Sequence, residues 1–417
     1  MAEITRRIGL SLGADVCWPI AYGAIMKRLD LAIPMGGDTL RFDVKRMTIE
    51  PFDLRERTPY DLVIDRLTHW YHPRREWIKK AVILDDVYVF NNPWSVQSME
   101  KLTTYAAMMR LGFPIPTTWL LPPKEYEDAA DLQVTLERYA RHFDLGAIGR
   151  EVGYPMFMKP YDGGGWRAVT RIENEEELKA AYEESGSAVM HLQEAVLPFD
   201  RFVRCVGLGP QTRIILYDID APLHDRYTME RDFLSVEERS LIRDMTLVIN
   251  GFFGWDFNSC ELIHREDTWH AIDFANPCPD SQVSSLHYHF PWLIKANIRW
   301  SVYAAATNRA MKPLGWPRYF DVVDADMTLR ERLDALVHVV HERFETERFS
   351  AFCDRHLGHL DEVSDEFFGS DEARSAVRQK VAALFPEHEV DEFTDLFWQR
   401  IQRWREIEGG GGEKMAT

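Results

Sequence analysis

The rhythm of apolar and polar positions changes twice along this chain. In the first part, short apolar runs alternate with amphipathic stretches. IGLSLG (8–13) reads as a strand, 18–30 as a helix, PYDLVID (59–65) as a strand, 74–82 as a helix, and VYVF (87–90) as a strand stopped by Asn91, Asn92 and Pro93. SMEKLTTYAAMMRLG (98–112) has helical periodicity and is closed by Gly112. Alternating strand and helix predict an α/β lobe with parallel strands. PIPTTWLLPP (114–123) reads as a connector holding one strand.

The middle is richer in strands. YPMFMKP (154–160), WRAVTRI (166–172), AVMHLQEAV (188–196), RFVRCVGLG (201–209), RIILYDI (213–219), WDFNSCELI (255–263) and TWHAIDFAN (268–276) are predicted strands. Helices are predicted at 174–185, with Asn174 as N-cap and acids in the first turn, and at 235–250. Mostly antiparallel strands with flanking helices predict an α+β region. From about residue 290 the strands stop, and 325–407 is helix-patterned and acidic. The expected boundaries are an N-terminal α/β lobe at 1–122, a second region at 123–310, an all-α extension at 311–408 and a flexible tail, GGGGEKMAT, at 409–417. No internal repeat is visible.

Composition narrows the classes. A chain of 417 residues is too long for one core. A formal charge of −18 argues against nucleic acid as main partner, because phosphate backbones want a basic surface. It does not exclude a small phosphate ligand held by local cations. The five cysteines, Cys17, Cys205, Cys260, Cys278 and Cys353, are scattered and never form CxxC, which fits a reducing compartment. No signal-peptide pattern and no apolar run of roughly 18 residues is present, so the expectation is a cytoplasmic protein without a membrane partner.

Three stretches could carry chemistry. In MKPYDGGGW, Lys159 closes a strand and precedes Gly163, Gly164 and Gly165. Glycines let backbone N–H groups approach phosphate oxygens, and a lysine beside them is a point charge. The plain alternative is a glycine hairpin with an exposed lysine. Neither GxxxxGK[ST] nor GxGxxG occurs. In LQEAVLPFD, Gln193 and Glu194 end a strand and Asp200 follows a turn; a strand end can face a purine edge, and an acid can accept ribose hydroxyls. In AIDFANPCPD, a strand ends in Asp273 and Asn276 before Pro277 and Pro279. A hairpin would bring Glu261, Asp273 and Asn276 together, and hard oxygen donors suit Mg²⁺ with phosphates and water completing the shell. The alternative is a polar hairpin end, and Asp256 competes with Glu261 as third ligand.

In this order the stretches resemble the ATP-grasp superfamily, which includes D-alanine–D-alanine ligase and glutathione synthetase. The resemblance runs from about Asp61 to Asp280. PYDLVIDRLTHWYH resembles the second half of the family's preceding lobe, and VYVFNNPWSVQSMEKLTTYAAMMRLGFPIPTTWLL the stretch carrying its first ATP-contacting lysine, here Lys101. The resemblance implies an ATP-grasp fold with a pre-ATP-grasp α/β lobe and a helical C-terminal extension. It implies that Lys101 and Lys159 hold the α- and β-phosphates and that Gly163, Gly164 and Gly165 cover them. Gln193, Glu194, Ala195 and Val196 would edge the adenine, and Asp200 would take the ribose. Glu261, Asp273 and Asn276 would bind Mg²⁺, and Arg213, with Lys159, would face the transferred phosphoryl group. Many members have Glu-x-Asn where this chain has Asp273-x-x-Asn276. The implied activity is an ATP-dependent ligase that joins a carboxylate to an amine through an acylphosphate, on amino acid or peptide-like small molecules. A phosphotransferase and a non-catalytic ATP-binding protein are the alternatives, and a homo-oligomer is left open. Two further groups stand apart: His287 and His289, and Arg66, His69, His72, Arg74 and Arg75, whose arginines could capture an acceptor carboxylate. No motif residue lies beyond Asn276, so the helical extension is expected to be accessory and removable near residue 320.

Overall fold

The structure is a computed structural model, and residues 2–48, 50–67, 71–96, 101–161 and 168–409 are described. The described residues form a mixed α/β protein with three sheets and a helical C-terminal region. The first sheet contains β1 (Glu3–Ser11), β2 (Ile33–Met35), β3 (Asp38–Arg46), β4 (Leu62–Asp65) and β5 (Tyr88–Phe90), in the order β2-β3-β1-β4-β5. β3, β1, β4 and β5 run parallel, the last three as the strand–helix alternation predicts; Ile8 faces Val44 on one side and Leu62 on the other. β2 and β3 form an antiparallel hairpin that the sequence reading passed over. Its signal is Gly36–Gly37, both at positive φ (61° and 91°), which a two-residue hairpin turn requires.

The second sheet contains β6 (Thr118–Leu121), β7 (Met156–Pro160), β8 (Thr170–Ile172) and β9 (Met190–Glu194), in the order β6-β9-β7-β8, all antiparallel. The third contains β10 (Arg201–Leu208), β11 (Gln211–Leu216), β12 (Phe257–Arg265) and β13 (Thr268–Pro277), in the order β11-β10-β12-β13.

The chain divides into two compact units: 1–97 with 202–260 and 276–417, and 98–201 with 261–275. β12 and β13 therefore each pass from one unit into the other. This division differs from the expected run of lobes because the N-terminal lobe and the C-terminal helices share one core. Helix Cys17–Leu29 packs on helices Leu360–Phe368 and Asp371–Ala382. Helix Phe290–Ala306 is buried along its whole length, against β1 and β4 and against helices Thr346–His356 and Leu360–Phe368. The helices after residue 320 are thus part of the first unit's interior, contrary to the expectation of a removable accessory.

The second unit has its own core. Leu121, Met156, Met158, Ile172, Met190 and Leu192 project from β6–β9 onto Val152, Leu178 and Tyr182. Asn174 caps helix Glu175–Glu184, its side chain accepting the Glu177 N–H at 3.0 Å. Strand side chains alternate between faces, so if the methionines of β7 and β9 point into this core, Lys159, His191 and Gln193 must point to the opposite face.

Candidate functional site

That opposite face gathers polar groups under burial. Lys159 pairs in register with His191, and Phe157 with Gln193. The Lys159 ammonium donates to Gln193 Oε1 at 2.7 Å, and Gln193 Nε2 donates to Thr118 Oγ1 at 3.1 Å. From a separate element, Lys101 opens helix Lys101–Arg110, and its buried ammonium pairs with Asp273 of β13. The Tyr105 hydroxyl, one turn along, donates to the Ile272 carbonyl at 2.8 Å and its ring meets Phe274, which fixes the helix against β13.

The electrostatics follow from crowding a buried and a half-buried lysine together. Burial lowers the Lys159 pKa from 10.5 to about 8; Lys101 pushes the same way, while Asp273 and Glu261 oppose it. His191 is fully buried, and among the described residues neither ring nitrogen has a hydrogen-bond partner. Burial, then Lys159 and Lys101, depress its pKa to about 3, so the ring is neutral. Two cations, a neutral imidazole and an amide therefore share one face of β7 and β9 with the carboxylates of Glu261 and Asp273. Such a set can neutralise a polyphosphate, and the orphaned imidazole is a polar group left for a ligand to satisfy.

For a metal, the donor chemistry fits only in part. Among the described residues no group of three His, Cys, Asp or Glu side chains is arranged to hold an ion. Two carboxylates suffice for Mg²⁺ when phosphates and water complete the octahedron, so Glu261 and Asp273 fit a metal that arrives with a nucleotide, not a resident one. Asn276 lies beyond the point where β13 enters the first unit; its amide Nδ2 donates to the Ser259 carbonyl at 3.3 Å and its N–H to Asn258 Oδ1 at 2.9 Å.

The other expected residues fall as follows. Glu194 ends β9 with its carboxylate accepting from Arg265 at 3.1 Å, and Ala195 and Val196 follow it, buried. Asp200 is joined to His264 Nδ1 at 2.6 Å and to Arg201 Nε at 3.3 Å. Gly163, Gly164 and Gly165 lie outside the described residues, as do His69 and residues 410–417 of the tail. Asp256 is not available to a metal: it is buried in the first unit, where Oδ1 accepts from the Tyr88 hydroxyl at 2.7 Å and from Trp300 Nε1 at 2.9 Å. Arg213 of β11 is forked onto Glu408, with Nη2–Oε1 2.6 Å and Nη1–Oε2 3.0 Å. His287 and His289 are buried; His289 Nε2 donates to the Thr228 carbonyl at 2.8 Å and Nδ1 accepts from Arg213 Nε at 3.3 Å. Arg74 is buried and donates to the Thr48 carbonyl, and Arg66 sits over the Trp18 ring, so these two arginines are engaged within the fold. All five cysteines are free thiols, and burial raises the pKa of Cys17, Cys205, Cys278 and Cys353.

No protein-family model and no curated protein matches the chain. It is similar to solved ATP-grasp structures. D-alanine–D-alanine ligase from Bacillus anthracis, complexed with ATP, shares 14% identity over 81% of this chain and 99% of that one, at a TM-score of 0.46. A RimK domain ATP-grasp protein from Sphaerobacter thermophilus shares 14% over 66% and 92%, at 0.43. VanG D-Ala:D-Ser ligase from Enterococcus faecalis shares 13% over 81% and 99%, at 0.44. At this distance the function has to be argued from the residues themselves.

His191, Tyr105 and Thr118 escaped the sequence reading. For His191 a signal was there: in MHLQE it alternates with Met190 and Leu192 and shares the parity of Gln193. Tyr105 and Thr118 had none, since their roles depend on partners 167 and 75 residues away.

Proposed function

We propose that the face built on Lys101, Lys159, His191 and Gln193 binds the phosphates of ATP, and that the protein is an ATP-dependent ligase joining a carboxylate to an amine. The observation that carries this is the meeting of a buried lysine from a helix, Lys101, and a half-buried lysine from a strand, Lys159, with Asp273 and Glu261. Asp273 already offsets Lys101; Lys159 donates to a neutral amide and is the cation a polyphosphate would offset, which leaves the acids for its Mg²⁺.

In this reading a substrate carboxylate oxygen attacks the γ-phosphorus and ADP leaves. The amine then attacks the acyl carbon, the C–O bond to phosphate breaks, and the amine loses a proton. Lys159 and Lys101 offset the charge that builds in the first step, and Gln193 holds the Lys159 ammonium in place. A bound Mg²⁺ would supply further charge neutralisation at the phosphates, held by Glu261 and Asp273, with Asn276 as the further oxygen donor the resemblance implies. Glu194 to Val196 beside the adenine and Asp200 at the ribose complete the nucleotide site; Asp200 would have to share His264 with the sugar.

The test is a panel of amino acids and short peptides with ATP and Mg²⁺, followed by ADP release. A substrate whose carboxylate is labelled with ¹⁸O should yield labelled inorganic phosphate. ADP release with unlabelled phosphate, or a phosphorylated hydroxyl product, would rule out the acylphosphate route.

A further inference from the structure

The carboxylate on Arg213 belongs to the chain itself, and its surroundings look built for a ligand. Glu408 is buried, and its two oxygens receive the Arg213 fork, the Tyr288 hydroxyl at 2.7 Å on Oε1, and Arg231 at 3.7 Å. These donors come from three places in the first unit: β11, the segment after it, and the turn His287–His289. His289 braces the guanidinium from behind through Nδ1. A bidentate guanidinium is a recognition geometry for planar carboxylates, and here a phenol and a second, half-exposed guanidinium stand beside it.

The segment that delivers Glu408 is held mainly by polar contacts. Arg405–Gly409 is a π-turn at the end of helix Val390–Trp404, a winding frequent at functional sites. Glu406 and Ile407 are exposed, so the turn buries no apolar side chain of its own. Its other ties are polar and partly exposed: Arg405 forks onto Asp365 at 2.9 and 3.0 Å and donates to Gln402 Oε1 at 2.8 Å, and Glu406 accepts from Arg403 at 2.8 Å. The one deeply placed side chain in the turn is the carboxylate.

We propose that Arg213, Arg231 and Tyr288 form a binding site for a small aliphatic carboxylate, and that Glu408 fills it in cis as a displaceable latch. The occupant is a propionate group on a tether, so the site takes ligands ending in –CH₂–CH₂–COO⁻. A ligand and Glu408 exclude each other, and binding releases the 405–409 turn. The site stands independently of the nucleotide reading and is tested without nucleotide.

Two measurements on the full chain decide it. In Glu408→Ala, propionate should raise the melting temperature in a saturable way, because it binds only the folded state, whereas neutral propionamide should not. In the unaltered protein, amide hydrogen exchange over 405–409 should rise about tenfold with saturating glutarate, as the turn loses its anchor, and stay unchanged with glutaramide. Equal effects of propionate and propionamide would show that there is no carboxylate site. Unchanged exchange with glutarate would show that Glu408 is a fixed structural partner. Either result overturns the proposal, and the second can be read even if Glu408→Ala fails to fold.

Discussion

Replacing Asp273 by Asn separates the account of this site from its plainest rival. If β13 simply frayed into a polar turn, or if Asp273 and Glu261 repelled each other across a missing cation, Asp273→Asn would leave the metal-free protein as stable or more so. The structure argues the reverse, because Asp273 is the ion-pair partner of Lys101, whose side chain is 7% exposed against 24% for the aspartate. Removing one partner of a fully buried pair costs about 3–5 kcal/mol, and of an exposed pair about 0–1. A buried lysine with a partly open aspartate falls between, so the expected loss is about 1–3 kcal/mol, with Asn keeping the shape but not the charge. The effect spreads: Asp273 supports the proton on both Lys159 and His191, so its loss lowers both pKa values further. The assay is urea unfolding of both proteins without Mg²⁺, followed by ATP turnover across Mg²⁺ concentrations. Turnover should fall by well over the roughly 10–100-fold expected of an outer-shell partner. Unchanged or raised stability would refute the Lys101 pairing, and unchanged turnover at limiting Mg²⁺ would refute the metal role.

Lys159→Met should raise the stability of the nucleotide-free protein at pH 7. The shift from 10.5 to about 8 corresponds to at most about 3 kcal/mol, less about 1 for the lost Gln193 bond. The sign also sets a pH dependence: folded Lys159 binds its proton less tightly than unfolded, so stability should rise between pH 8 and 10.5, and Lys159→Met should lack that component in denaturant titrations. His191→Phe keeps the ring but removes the orphaned nitrogens; it should leave the melting temperature equal or higher while weakening ATP, and unchanged affinity would remove His191 from the ligand's surroundings. Ending the chain at residue 320 should abolish folding of the first unit, because helix Phe290–Ala306 loses the helices that bury it; a cooperative melt with native circular dichroism would contradict this.

Much of this was legible in the sequence, for reasons that differ by element. β1, β4 and β5 of the first sheet, and β7 and β9, announce themselves because buried apolar runs and alternation are local properties of the chain, whereas β3 carries too many charges to show that pattern. The Gly36–Gly37 hairpin is absent from the predicted elements although its signal is local, since paired glycines between polar-apolar runs satisfy a turn's positive φ. Lys159 and Asp273 stand out by composition, a charge closing an apolar strand, whereas Lys101 was found only through the family resemblance. What stayed hidden depends on distant partners. Asp256 and Glu261 could not be ranked until Tyr88 and Trp300 were seen to occupy Asp256. Glu408 lies 195 residues from Arg213, on a turn whose sequence differs little from any acidic helix end. The compact first unit is invisible to a linear reading because its N-terminal helix packs on helices more than 300 residues further along.

The central claim is that the Lys101–Lys159 face binds the phosphates of ATP. Calorimetric titration of ATP with Mg²⁺ into the intact protein and into Lys159→Met tests it most directly. The account predicts saturable one-site binding that weakens at least tenfold in Lys159→Met while that variant melts no lower than the parent. Absence of heat and of any melting shift at millimolar ATP, or equal affinity in the two proteins, would contradict it.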